Sequence, residues 1–468
     1  MRKLAALVAL LAGGCTTLEP AYVQPDAAIP ASWPAGDSYL RQSEAALPAV
    51  AYQQVFRDPR LQTLVAQALV NNRDLMIAAA NIAAAREQYH IRRADQFPEV
   101  DAAAGATIQS REDGSGLSAD YTAGVSVPSF ELDLFGRIRS QSHAALNRYL
   151  RTEAGARATR LTLVADIATA WLTYGADSTL LQIARDTEIA AEKSVRLTRL
   201  RLEGGVAPRT DLRQAEQILA QARADLADQR TALAQDVNLL QLLVGAPVEA
   251  SLLPRSIEEA AGTVAAVPAG TDSYVLLRRP DVVQAEFELR AANADIGAAR
   301  AALFPRISLN ALLGFAGGSI GALFSSLGVS AGADATYTIF NAGAGRANVR
   351  LTEAQRAAAV ATYQRTIQTA FREVSDALAR QGTLNDLLAA RQMQKAAAGD
   401  TYVLTEARYR EGIDPFLNVL DAQRSYYAAQ RTQALGRLTA ALNQVDLYQA
   451  LGGDSLYPPP AAATAAAR

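Results

Sequence analysis

The chain has 468 residues, of which 50% are hydrophobic, 6% aromatic and 20% charged, with 45 Lys and Arg against 47 Asp and Glu for a formal charge of −2. A single Cys excludes an intrachain disulfide framework and any Cys-based zinc or iron–sulfur centre, and near-neutral charge gives no electrostatic case for nucleic acid. The length predicts roughly two to four domains, and the longest apolar run, Leu4–Gly14, falls short of the ~18–20 residues of a bilayer-spanning helix.

The chain opens on the basic Met1-Arg2-Lys3, an apolar stretch Leu4–Leu11, and Ala12-Gly13-Gly14-Cys15. This layout predicts a signal peptide over 1–14. The small residues before Cys15 resemble a bacterial lipobox, although Ala12 stands where that signal usually has Leu. The resemblance implies an S-diacylglyceryl and N-palmitoyl lipid on Cys15, which would anchor the chain in outer-membrane lipid. Thr16, where an Asp often retains lipoproteins in the inner membrane, points to the outer one. The other reading is an ordinary cleaved signal with an incidental Cys.

Residues 15–58, with Pro20, Pro25, Pro30, Pro34 and Pro48, read as an irregular anchored segment. A helical pattern runs from about Pro59 to Gln96 and ends at Phe97-Pro98. Strands are predicted at 102–110 and 121–135, with a loop over 111–118; Phe130–Leu134 alternates apolar and polar. A long helix over 140–202 carries no proline, and Leu161, Val164, Ala168 and Trp171 keep a coiled-coil rhythm. Gly204-Gly205-Val206-Ala207-Pro208 stops it, and a return helix follows over 210–243. Residues 246–272 form a Pro-containing linker. The plan then recurs over 273–452: a helix to Phe304-Pro305, strands at 307–315 and 329–340, a long helix at 347–410, Gly412-Ile413-Asp414-Pro415, and a return helix at 416–450. Residues 453–468 read as a disordered tail.

The two halves, 59–245 and 273–452, are repeats. Asp74 and Asp281, Phe97 and Phe304, Gly205 and Gly412, and Gly245 and Gly452 are all separated by 207 residues. Each long helix spans about 63 residues, ~95 Å at ~1.5 Å per residue. Strands of about ten alternating residues match a membrane β-strand. Four such strands cannot close a barrel alone, and an open membrane sheet leaves backbone groups unpaired in lipid. The chain therefore either oligomerises or stays out of the membrane.

The mature chain resembles the TolC-like outer-membrane efflux ducts, within them the lipoprotein branch serving resistance-nodulation-division (RND) pumps. The duplication, the Phe-Pro marks, the lipobox and Tyr409-Arg410-Glu411-Gly412 with Leu420-Asp421-Ala422-Gln423-Arg424 carry the likeness; Thr210–Glu216 is its weaker partner in the first half. The resemblance implies a mainly α fold with membrane β, as a homotrimer. It implies a twelve-stranded β-barrel, a periplasmic α-helical barrel, and an equatorial collar built from the termini and the linker. It also implies a periplasmic adaptor and an inner-membrane RND-type transporter as partners. It places a periplasmic gate on Leu417, Asn418, Asp421 and Arg424, and adaptor contacts on the tip turns Gly204, Gly205, Val206, Gly412 and Ile413. Three Asp421 carboxylates near one axis would focus a negative potential. From spacing alone, Asp421 and Arg424 also read as an ordinary surface ion pair worth ~0–1 kcal/mol.

No catalytic constellation, cofactor or metal site is expected. His90 and His143 are isolated, Gly343-Ala344-Gly345 lacks the third glycine of a dinucleotide loop, and Gly317–Gly321 lacks the Lys-Ser/Thr of a phosphate loop. Other functions open at this point are a structural or adhesive trimeric coiled-coil lipoprotein, the duct of a type I secretion system, and, least supported by the residues, a periplasmic enzyme.

Overall fold

A computed structural model describes residues 17–34, 51–110, 117–268, 270 and 272–458. Cys15, the signal segment, the loop 111–116 and the tail 459–468 lie outside the described residues. In chain order the helices are α1 (Tyr52–Val55), α2 (Pro59–Asn71), α3 (Arg73–Ala94), α4 (Arg137–Glu203), α5 (Arg209–Val244), α6 (Ile257–Ala261), α7 (Pro280–Ala301), α8 (Ala344–Arg410) and α9 (Phe416–Ala450). The strands are β1 (Asp101–Ser110), β2 (Leu117–Glu131), β3 (Arg306–Gly317) and β4 (Leu327–Thr336). The chain divides into two compact units: one holds 17–26, 80–154 and 283–365, the other 27–34, 51–79, 155–282 and 366–458.

The first unit is built on a four-stranded antiparallel sheet in the order β1-β2-β3-β4. The two hairpins come from the two repeats and meet at β2 and β3. The β2–β3 register shifts between Val127 and Phe130. Pro128 lies in that interval and has no N–H to donate, so a bulge absorbs it. Three strand bounds differ from the alternation, the first being β2, which begins at Leu117 rather than 121 and so takes in the end of the expected loop. β4 stops at Thr336 rather than 340, because Thr336 pairs with Arg306 and the next partner position is Pro305. β2 stops at Glu131 rather than 135. Beyond it, Asp133 accepts the Arg139 N–H at 2.8 Å, Glu131 accepts from Arg137 Nε and Nη2, and Gly136 turns the chain at φ +73° into α4. A short 3-10 turn, Ile320–Ser325, occupies the β3–β4 connection.

An N-terminal strap crosses this unit. Thr17 meets the Ser140 hydroxyl at 3.2 Å, Asn293 donates to the Pro20 carbonyl at 2.7 Å, and Gln24 donates to the Tyr363 hydroxyl at 3.0 Å. A Cβ at Gly136 would lie 2.8 Å from Thr17 Cα, and one at Gly297 2.8 Å from Glu19 Cα, so both glycines open the track for the strap.

The second unit has the larger core. Leu61, Leu64 and Val65 of α2, Leu161, Val164, Ala168 and Trp171 of α4, Leu240 and Val244 of α5, Val374 and Leu378 of α8, and Val445 and Tyr448 of α9 pack together. The seam rhythm of α4 is thus a buried face. The linker joins this core through Ile257 and Ala260 of α6, and Ser256 caps α6 by accepting the Glu259 N–H. Linker and terminal segments also share backbone bonds: Ala265 N–H to Val55 O at 2.8 Å, and Tyr457 N–H to Arg278 O at 2.9 Å.

The single helix expected over 59–96 is broken at Asn72, whose ψ is 132°. Its side chain accepts the Leu75 N–H at 3.1 Å and donates to the Leu243 carbonyl at 2.8 Å, so the break is fixed by the end of α5. The tail also begins later than expected. Gly453–Ser455 forms a 3-10 turn, Leu456 is buried, and Arg278 Nε donates to the Tyr457 carbonyl at 2.6 Å.

Candidate functional site

The residues expected at the gate and the tips lie at the junctions of α4 with α5 and of α8 with α9, all in the second unit. Both junctions have the same backbone. Gly205 (φ +73°) donates to Leu202 O at 3.0 Å and Val206 to Arg201 O at 2.9 Å; Gly412 (φ +78°) donates to Tyr409 O at 3.0 Å and Ile413 to Arg408 O at 2.9 Å. These are Schellman closures, in which a left-handed glycine lets two N–H groups satisfy the last carbonyls of the helix. Gly204 donates to Leu200 O at 2.9 Å as the helix ends. Pro208 and Pro415 then start the return helices, at ψ 156° and 154°. The residue that usually packs back on such a helix is Val206 or Ile413, and both point outward, 69% and 62% exposed.

The second turn is more heavily tied than the first. Arg408 holds Asp414 at 2.7 and 3.2 Å, and this bond lowers the Asp414 carboxyl below its usual range. Arg201 of α4 donates to the Tyr409 carbonyl at 2.8 Å, and its guanidinium lies 4.6 Å from the Tyr409 ring centre. Tyr409 is buried with Phe416, Val419, Leu420, Val195 and Ala215. Burial pushes its hydroxyl pKa up, and the Arg201 charge opposes that.

Within α9 the first turns have two faces. Phe416, Val419, Leu420 and Gln423 are buried, whereas Leu417, Asn418, Asp421 and Arg424 are exposed and form one stripe. All four gate positions therefore share a helix face, with Leu417 62% exposed. Among the described residues no ion pair joins Asp421 to Arg424; the nearby pairs are Arg408–Asp414 and Arg410–Glu406.

Two polar links between helices escaped the sequence. Tyr427 donates to Asp225 of α5 at 2.8 Å, with Arg431 3.4 Å from the same hydroxyl. Burial, then Asp225, raises the Tyr427 pKa. Asp177 of α4 and Asp236 of α5 lie close enough to interact; burial, then the Asp177 charge, pushes Asp236 up to about 7. These partners are 202 and 59 residues apart in the chain, and no local motif marks them. Among the described residues no group of three or more His, Cys, Asp or Glu is placed to hold a metal ion, and no helix is long and apolar enough to cross a membrane.

Comparison with known proteins gives the same pattern of two repeats. The family described as outer membrane efflux protein matches residues 64–246 and again 273–453. The toluene efflux pump outer membrane protein TtgC of Pseudomonas putida is 42% identical over 464 residues, covering 96% of this chain and 94% of the other. Outer membrane protein OprJ of Pseudomonas aeruginosa is 39% identical over 457 residues, covering 96% and 95%. The open-state outer membrane channel MtrE of Neisseria gonorrhoeae superposes with a TM-score of 0.84 at 32% identity, covering 94% of this chain and 99% of that one. With both repeats matched and at least 94% of each of these relatives spanned, the chain belongs to the outer membrane efflux protein family, and it is an outer-membrane channel protein of an efflux system.

Proposed function

We propose that three copies of this chain close a twelve-stranded barrel, and that the channel so formed takes substrates from a periplasmic adaptor and an inner-membrane RND-type pump. The observation that carries this reading is the sheet. β1 and β4 are its two edges and every residue of both is exposed. Edges left open in lipid cost several kilocalories per unpaired group, so β4 of one copy must meet β1 of another. Three copies give twelve strands, enough for an open interior.

The exposed stripe of α9 supports the gate. Three copies would bring Leu417 and Asp421 around one axis, where apolar side chains exclude water and carboxylates focus negative potential. The outward Val206 and Ile413 support adaptor docking, because small apolar patches on rigid turns are cheap to desolvate. The strap supports lipidation: Thr17, two residues after Cys15, sits against Ser140 and Gly136 where β2 passes into α4. Cys15 would carry the S-diacylglyceryl and N-palmitoyl groups. The channel takes what its pump delivers, and the toluene-pump relative makes small apolar solutes the first to test.

Planar-bilayer conductance of the purified, heat-modifiable trimer tests the gate. Leu417→Ala and Asp421→Ala are each expected to raise conductance severalfold; unchanged conductance in both sinks the assignment. Cys15→Ser is expected to abolish palmitate labelling, and labelling that persists removes the anchor. A monomer that needs neither lipid nor detergent would defeat the barrel.

A further inference from the structure

The offset of 207 residues pairs the two junctions between sheet and long helix position by position. In the first repeat this surface is covered and its charges are matched. Thr17 of the strap lies over the left-handed Gly136 and meets Ser140, and His143 faces Glu19 of the strap at 3.0 Å. Asp133 pairs with Arg139, and Glu131 with Arg137. In the second repeat the same surface is bare. Gly343 (φ +85°) is the equivalent of Gly136, and a Cβ there has nothing within 4 Å. Ala347 replaces the buried Ser140 and is exposed. Both acids are gone, since Glu131 becomes Thr338 and Asp133 becomes Phe340. Two cations remain, Arg346 in place of Arg139 and Arg350 in place of His143. They lie one turn apart on the exposed surface of α8, and among the described residues neither has an ion pair or a hydrogen bond. Just before them stand Ile339 and Phe340, the most exposed large apolar side chains among the described residues at 91% and 85%.

We propose that Arg346 and Arg350, with Ile339 and Phe340, form a binding site for an anionic phospholipid of the inner leaflet of the outer membrane, the two guanidiniums taking its phosphate. Arginine forks match phosphate oxygens in both charge and geometry. The level in the membrane fits as well. β4 ends at Thr336 and α8 begins at Ala344, so residues 337–343 carry the chain from the membrane strands to the periplasmic helix, at headgroup depth. An Ile and a Phe this exposed are unfavourable in water and gain by entering acyl chains beside a bound headgroup. The first repeat shows that such a face survives helix packing. There α4 is tied to α7 through Arg148–Asp295 and Arg151–Glu288, yet Arg139 and His143 stay exposed. Arg346 and Arg350 can likewise stay at the surface when α8 meets a neighbouring copy. The second repeat thus takes a free lipid on the face where the first takes the strap that follows Cys15. The site rests on the outer-membrane placement of the strands, and neither on the gate nor on lipidation of Cys15.

Phosphatidylglycerol is the probe, titrated in mixed micelles into the delipidated, detergent-solubilised full-length protein and read by native mass spectrometry. Saturable retention of a lipid on each chain is expected. Arg346→Gln combined with Arg350→Gln is expected to weaken it about tenfold or more. Phe340→Ser, which leaves both arginines in place, is expected to weaken it several-fold and serves if the double variant does not assemble. Arg139→Gln, at the matched position of the first repeat, is expected to bind like the wild type. Diacylglycerol, which lacks the phosphate, is expected not to saturate, and inorganic phosphate in excess is expected not to displace the lipid. The proposal is overturned if phosphatidylglycerol fails to saturate, or if the double variant and Phe340→Ser both bind it like the wild type. It is equally overturned if Arg139→Gln loses as much as the double variant, which would mean diffuse surface charge, if diacylglycerol saturates, or if inorganic phosphate displaces the lipid, which would make this a site for free phosphate.

Discussion

Gly205 and Gly245 have the same backbone conformation, φ +73°, and both follow the end of a helix. Alanine at either position meets the left-handed penalty of about 1–2 kcal/mol. Their surroundings differ. A Cβ at Gly205 has nothing within 4 Å, whereas one at Gly245 would sit 2.5 Å from Asn71 O and 2.9 Å from Asn71 C. Those atoms are main chain and are held, because Asn72 bonds the Leu243 carbonyl and caps α3. Relief requires shifting the α2–α3 break away from α5. Overpacking adds about 1–3 kcal/mol, and loss of the Asn72–Leu243 bond adds about 0.5–1.5 kcal/mol. Gly245→Ala is therefore expected to cost about 3–6 kcal/mol and Gly205→Ala only about 1–2. Urea unfolding followed by far-ultraviolet circular dichroism, with each variant in the same detergent, reads the difference as a lower midpoint. Equal midpoints, or a larger loss in Gly205→Ala, would refute the steric argument.

Two further outcomes follow from buried charge. The folded pKa of Asp236 is raised to about 7, above that of an unfolded Asp, so the folded state holds the proton more tightly. The stability this contributes is fully present below about pH 4 and is lost as pH rises through about 7. Asp236→Asn, which removes the titrating group at nearly the same size, is expected to flatten the fall in urea midpoint across that window; curves that stay parallel to the wild type would exclude Asp236 as its source. Arg279 is buried and serves Asp281, Glu373 and the Ala450 carbonyl together. Arg279→Met leaves all three without their donor and, with Asp281 and Glu373 partly exposed to water, is expected to cost about 1–3 kcal/mol. Arg279→Lys is expected to recover little, since an ammonium cannot make the fork to Asp281. Full recovery in the Lys variant would show that charge alone suffices.

What could be read from the sequence was what neighbours in the chain decide. Gly205, Pro208, Gly412 and Pro415 mark where the long helices stop, because left-handed φ and a missing N–H are local properties. Strand existence was equally local, through the alternation around Val329–Ala335. Strand ends were not, since β4 stops where its partner reaches Pro305, thirty-one residues earlier than Thr336. The break at Asn72 depends on the Leu243 carbonyl, 171 positions away. The four positions expected at the gate follow from a motif, and the structure adds that they share one exposed face. It also adds what the motif could not carry: Arg201 over Tyr409, Tyr427 on Asp225, and an amide at 423 turned inward.

The duplication locates function by its failures. Where the repeats agree, they agree on backbone: the same Schellman closure, the same proline start, the same offset of 207 residues. Where they part, they part on charge. Arg201 and Arg408 are equivalent positions, yet one reaches across to Tyr409 and the other holds Asp414, which in the first repeat is Ala207. Asp421 and Arg424 correspond to Gln214 and Gln217. Under the proposed gate, an Asp at position 214 would add three carboxylates to the three of Asp421 near the axis, and their mutual repulsion would oppose closure. Asp211, the equivalent of Asn418, keeps a carboxylate in the first turn of α5, so the two return helices carry their charge at different positions. The shared backbone needs both helices to fold alike, and the unshared side chains set their exposed faces apart.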